Sequence, residues 1–260
     1  MNSGDKSTGK PCVWVTRPEP KATEHAKHLE TCGFSTTISP VLTIEALPLI
    51  GQSPDQLSSF DAVLATSQNA FDHLPLSWLS SLQRIPLFVS GSATETRALE
   101  LGFSNVTASE GSGSQGIPEL LIQAPNICAA QGATNLLYLA GTPRTPFLED
   151  VLPEKYSLSI IEVYEAKLVL TLSSDTAARI ERDDVVATTL FSSRSAKQAA
   201  ALLRRLSPDK QEAALQTILA ICISPMVEQA ARSHGFVKTE TADLETSESI
   251  VEKLVTQLNI

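Results

Sequence analysis

Six short polar segments hold most of the residues in this chain that could do chemistry on a small ligand. They are Thr16-Arg17-Pro18, Thr66-Ser67-Gln68-Asn69, Gly91-Ser92-Ala93-Thr94, Gly141-Thr142-Pro143-Arg144, Ser192-Ser193-Arg194-Ser195 and Ser224-Pro225. Each follows an apolar run and precedes a stretch with helical patterning. A helix start offers free N–H groups and a partial positive charge, and Ser, Thr and Arg add donors, so such loops together suit a ligand rich in carboxylates. Arg17, Arg144 and Arg194 could each take a carboxylate through two parallel hydrogen bonds. The same residue types are also ordinary helix caps, and a surface arginine is commonly solvated. Any one loop is therefore ambiguous, and it is their recurrence in both halves that favours binding.

Tyr164 stands in a β-prone stretch, EVYEAKLVL, from which a phenol could reach a ligand or simply pack between strands. The histidines point elsewhere. His25 and His28, three apart on an expected helix, read as a solvated face, and His73 and His234 as isolated surface or cap residues. Gly111-Ser112-Gly113 lacks the Gly-Lys-Ser/Thr that a phosphate loop requires and reads as a flexible turn. There is no GxSxG elbow and no GxGxxG opening the first helix, which sets aside serine hydrolases and dinucleotide enzymes. Cys12, Cys32, Cys128 and Cys222 are widely spaced without a CxxC pair, so they read as reduced, mostly buried thiols and not as a metal site.

The elements that must position these loops alternate. Strands are expected at residues 12–16, 35–39, 61–65, 86–90, 135–139, 184–190 and 218–223, with helical stretches between them, which indicates parallel sheets covered by helices on both faces. A long-period repeat is also present. VSGSATETRALELGF (89–103) aligns with CISPMVEQAARSHGF (222–236), and the 133-residue offset between Gly102 and Gly235 also carries Ser114 onto Ser247, Ile117 onto Ile250 and Leu121 onto Leu254. The turns 66–70 and 192–196 match at an offset of 126. Residues 41–48 and 162–170 fall outside the repeated unit and are expected to be the two crossings between domains. One discontinuous domain would comprise 11–40 with 171–260, and the other, inserted, 49–161.

Hydrophobic residues make up 42% and charged residues 19% of the 260, enough to build two cores. A net charge of −9 argues against a nucleic-acid partner, which needs clustered Lys and Arg, but leaves room for a local anion site. No apolar run approaches the roughly 20 residues of a membrane span, and the polar opening MNSGDKSTGK is unlike a secretory signal, so no membrane partner and a cytoplasmic location are expected.

Taken together these motifs resemble the uroporphyrinogen-III synthase family. The resemblance is carried by Thr16-Arg17-Pro18 after the first strand, the Thr-Ser-x-x-Ala turn at 66–70, the Gly-x-Ala-Thr turn at 91–94 with Leu101-Gly102-Phe103 closing the helix, and Val163-Tyr164. It extends over about residues 12–257. It implies two flavodoxin-like parallel α/β domains joined by a two-stranded β ladder, and a monomer. Hydroxymethylbilane, which bears eight carboxylates, would close to uroporphyrinogen III in a cleft between the domains, with inversion of ring D, loss of water and no cofactor or metal. Tyr164 would be the proton donor, and Arg17, Thr66, Ser67, Gln68, Gly91, Ser92, Thr94, Gly141, Arg144, Ser192, Ser193, Arg194, Ser195 and Ser224 would bind substrate.

Two departures stand out. The family's Gly-Pro-x-Thr turn reads Ser224-Pro225-Met226-Val227, which removes a hydroxyl at 227, and Ala140 stands where an arginine often precedes Gly141, a role Arg144 could take. They leave open a second reading, a catalytically silent member that only binds a tetrapyrrole or another polycarboxylate.

Overall fold

The computed structural model describes residues 9–49, 53–109, 114–123 and 134–260. Gly111-Ser112-Gly113 and Cys128 lie outside the described residues. The chain divides into two compact units, one running to Thr43 and resuming from Lys167 to Ile260 (unit 1), the other Ile44–Ala166 (unit 2).

Unit 1 opens with β1 (Cys12–Val15), α1 (Lys21–Thr31) and β2 (Ser35–Ile38), and β3 (Leu42–Ala46) leads out of it. Unit 2 continues through a 3-10 turn at Pro54–Ser59, β4 (Ala62–Ala65), α2 (Asn69–Asp72), α3 (Leu76–Leu82), β5 (Leu87–Ser90), α4 (Ser92–Glu100) and β6 (Val106–Ser109). It ends with α5 (Ile117–Gln123), β7 (Thr134–Thr142), α6 (Phe147–Val151) and β8 (Tyr156–Leu168). Unit 1 is then completed by α7 (Ser174–Glu181), β9 (Val185–Leu190), α8 (Ser193–Leu203), α9 (Pro208–Thr217), β10 (Leu219–Cys222), α10 (Pro225–Ser233), β11 (Thr239–Thr241) and α11 (Ser247–Leu258).

In unit 1 the strands lie β2-β1-β9-β10-β11, all parallel. The other sheet runs β3-β8-β7-β4-β5-β6, with the pairs from β8 to β6 parallel. Matching β9-β10-β11 to β4-β5-β6 and β1-β2 to β7-β8 gives the same spatial order, so each unit is a circular permutation of the other in chain order. Residues 162–168, expected from sequence as a crossing, form the last part of β8, which runs over the unit boundary at Ala166/Lys167. They continue β8 because its pairing with β7 runs on to Thr142↔Glu165 past a bulge between Ala140 and Gly141.

Alternation along the strands sends side chains to both sheet faces. On β1, Cys12 and Trp14 join the core beneath α8, α9 and α10, whereas Val13 and Val15 join that beneath α1 and α11. On β7, Leu137 and Leu139 face α2, α3 and α4, and Leu136, Tyr138 and Ala140 face α5 and α6. Covering both faces is what confines ligand access to the strand ends.

The 133-residue register holds in three dimensions, since α4 begins at 92 and ends at 100 while α10 begins at 225 and ends at 233. Both end in the same cap. Phe103 N–H donates to Ala98 O and Phe236 N–H to Ala231 O, each at 3.1 Å, and the intervening Gly102 and Gly235 take φ of 87° and 105°, a region that side chains disfavour. Phe103 and Phe236, both 2% exposed, then drop into their cores, each burial worth roughly 2–3 kcal/mol.

Candidate functional site

In an open parallel sheet a crevice forms beyond the carboxyl ends of two neighbouring strands whose following helices leave to opposite faces. In unit 1 those strands are β1, followed by α1, and β9, followed by α8; in unit 2 they are β7, followed by α6, and β4, followed by α2 and α3. Most of the sequence-marked polar residues fall at these two points.

At the unit 1 point, Thr16 is buried and donates its hydroxyl to Thr189 O at 2.6 Å, tying the ends of β1 and β9 together. The next residue, Arg17, extends over the ring of Phe191, its guanidinium carbon 3.9 Å from the centroid, and donates to Ser247 Oγ at 2.7 Å at the start of α11. Its partners are thus an aromatic face and a neutral hydroxyl. Burial lowers its pKa to about 10, against the weaker pull of Glu24 and Glu248, so it stays cationic at neutral pH. A partly desolvated guanidinium whose direct contacts are neutral, with Glu24 and Glu248 acting through charge alone, has the chemistry to take a carboxylate. Ser192 caps α8 by accepting from Ser195 N–H at 3.1 Å and shares a hydrogen bond with the Ser195 hydroxyl at 2.8 Å; Ser193 and Arg194, both half-buried, fill the first turn. Ser224 begins α10 without a side-chain cap.

His25 is a correction to the sequence reading. It is 3% exposed, its ring edge-on to Phe191 at 5.2 Å, and neither ring nitrogen has a hydrogen-bond partner among the described residues. Burial, together with Arg17 and His28, lowers its pKa to about 3, so it is neutral. The reason is periodicity, because Ala22, His25, Ala26 and Leu29 form the buried stripe of α1 at i, i+3, i+4 and i+7.

At the unit 2 point, the Thr66 hydroxyl and the Tyr138 phenol are 2.9 Å apart, and Ser90 Oγ donates to Thr66 O at 3.2 Å. Ser67 accepts from Asn69 N–H at 3.3 Å and is hydrogen-bonded to Tyr164. Gln68 stands at the start of α2, which is only one turn long. The Tyr164 ring lies against Gly141, where an added Cβ would come within 2.2 Å of its Cζ, so this half-buried phenol can occupy its position only over a glycine. Burial raises its pKa above the ordinary phenol value, against the Ser67 hydrogen bond, and keeps it protonated. Gly141 and Thr142, read from sequence as loop, are the last residues of β7. Arg144 is ion-paired with Glu149, approaches Glu162 at 4.0 Å and lies 5.8 Å from the Tyr138 ring centroid. Gly91, with φ of 75°, precedes α4; Ser92 is exposed and Thr94 buried at 5%.

The repeat explains the change at 227. Val227 is the counterpart of Thr94 and is likewise buried, in the core beneath α10, while Met226 beside it is 70% exposed. Sequence reasoning missed Tyr138 and Phe191. Both lie among apolar neighbours, and only contacts over long separations reveal their place. Among the described residues no cluster of three His, Cys, Asp or Glu could hold a metal ion, and no helix is long and apolar enough to cross a membrane.

Fold and site define a class: a duplicated, parallel α/β protein with polar side chains gathered at the switch point of each unit. The family model described as Uroporphyrinogen-III synthase HemD matches residues 23–252, and the chain belongs to that family. Among solved structures, it is similar to a mutant uroporphyrinogen III synthase from the extremely thermophilic bacterium Thermus thermophilus, with 18% identity, 95% of this chain and 98% of that chain covered, and a TM-score of 0.57. The wild-type enzyme of that organism gives 20% identity, the same coverages and a TM-score of 0.44. At such identity the first likeness bears on the fold. No curated protein matches.

Proposed function

We propose that this chain is a uroporphyrinogen-III synthase that cyclises hydroxymethylbilane, with inversion of ring D and loss of water, holding the substrate's carboxylates at polar switch-point groups. The observation that carries the reading is the phenol of Tyr164 lying over Gly141, beside the Ser67 hydroxyl at the switch point of unit 2. Departure of the terminal hydroxyl as water requires a proton at that oxygen, and a phenol whose burial favours its neutral form retains one to give at neutral pH. The rest of the demand is orientation. A flexible chain must present the substituted carbon of ring D to the electrophilic terminal carbon, and holding its acid groups in place would restrict it to that approach. Family membership and the parallel α/β fold support the same reading.

The test is incubation with freshly generated hydroxymethylbilane. The type III isomer is expected, and Tyr164→Phe should lower turnover by about tenfold or more, in line with the loss of a general acid. Formation of only the spontaneous type I isomer by the intact protein would refute the synthase reading, and tight binding without conversion would favour the silent, ligand-binding one.

A further inference from the structure

Tyr138 sits on β7, 6% exposed, with its ring in the core beneath α5 and α6, and its only polar atom reaches Thr66 Oγ1 at 2.9 Å. Geometry alone lets either oxygen donate, and chemistry chooses between them. A phenol, with an ordinary pKa near 10, is a far better donor than an aliphatic alcohol. Burial raises the pKa of Tyr138, which the Thr66 hydrogen bond and Arg144, itself paired with Glu149, only partly offset, so the phenol keeps the proton it donates. With the phenol donating, Thr66 Oγ1 accepts and its own O–H must find another acceptor. The Thr66 main-chain carbonyl is bonded by Ser90 Oγ, and Thr66 itself is half-buried just beyond the carboxyl end of β4, at the switch point.

We propose that Tyr138 is a positioning residue that fixes the Thr66 hydroxyl as an outward-pointing donor to a ligand carboxylate, in a relay from phenol to alcohol to carboxylate. The inference rests on the reading that the unit 2 crevice binds a polycarboxylate. Each hydrogen bond of such a relay polarises the next, so losing the phenol O–H weakens the contact at the carboxylate although Tyr138 never touches the ligand. Tyr138 would therefore act wholly through Thr66, which separates it from a residue that merely fills space.

The experiment is a double-mutant cycle on the full chain with Tyr138→Phe, Thr66→Val and both together. Binding of uroporphyrin III, the stable oxidised octacarboxylate, is read by fluorescence, KM and kcat by turnover of hydroxymethylbilane, and folding by thermal melting. Each single variant is expected to weaken binding three- to tenfold and raise KM by a similar factor with kcat changed less than twofold. The double variant should bind no more weakly than Thr66→Val alone, and Thr66→Ser, which keeps the relay, should bind like wild type. Multiplying effects in the double variant, or wild-type affinity in Tyr138→Phe beside a weakened Thr66→Val, would overturn the proposal. Should Tyr138→Phe not fold, the Thr66 pair decides, and Thr66→Val binding as wild type overturns the relay. Failure of wild type to bind the probe overturns it too. If wild type binds but yields only type I isomer, the synthase reading fails while the cycle still judges the relay.

Discussion

Removing a guanidinium from water is normally compensated by a carboxylate. For Arg17 the direct contacts are the Phe191 face and the Ser247 hydroxyl, both neutral, while Glu24 and Glu248 offset only part of the cost of burial, and His25 nearby is neutral as well. Among the described residues Arg17 has no ion pair, which suits it to meet a ligand carboxylate. His25 has a measurable consequence of its own. Its pKa falls from 6.5 to about 3 through burial and the nearby Arg17 and His28, so the unfolded chain takes up this proton at higher pH than the folded one. A depressed pKa contributes stability that is present above 6.5 and is lost as pH falls toward 3. Between pH 7 and pH 4 the wild-type protein should lose about 3 kcal/mol more than His25→Leu, measured by urea unfolding at both pH values. Equal losses would show that the imidazole is not held neutral.

At the scale of elements, the caps of α4 and α10 are the sharpest expression of the duplication. Gln83 Nε2 donates to Leu101 O at 2.5 Å, and at the matching place Arg204 Nη2 donates to His234 O at 2.7 Å. Different side chains close the same turn. Gly235→Ala would force φ of 105° on an alanine and bring its Cβ to 2.7 Å from Arg204 Nη2, so a loss of about 2 kcal/mol is expected in chemical denaturation. An unchanged midpoint would contradict the cap. This correspondence was open to sequence reading because the glycine and the buried Phe103 and Phe236 are forced by backbone geometry and core packing, which leave residue-type signatures. The correspondence of β1-β2 with β7-β8 left none. Those strands need only apolar alternation, and many sequences satisfy it. The same distinction divides the site. Arg17, Thr66 and Ser67 stand in polar loops and announce themselves, whereas the Thr66–Tyr138 hydrogen bond joins residues 72 apart that only the sheet brings together. His25 was legible in principle, since its place in the apolar stripe of α1 outweighs its polarity, and polarity misled.

For the whole molecule, a net charge of −9 repels a polyacid at long range, so recognition must come from short-range, oriented groups. Hydroxyls and an arginine at the strand ends, Thr66 and Arg17 among them, are groups of that kind. The central claim is thus that these switch-point groups bind ligand carboxylates. Calorimetric titration of uroporphyrin III into wild type, Arg17→Ala and Thr66→Val tests it directly. The account predicts at least threefold weaker binding in each variant; full affinity in either variant would contradict it.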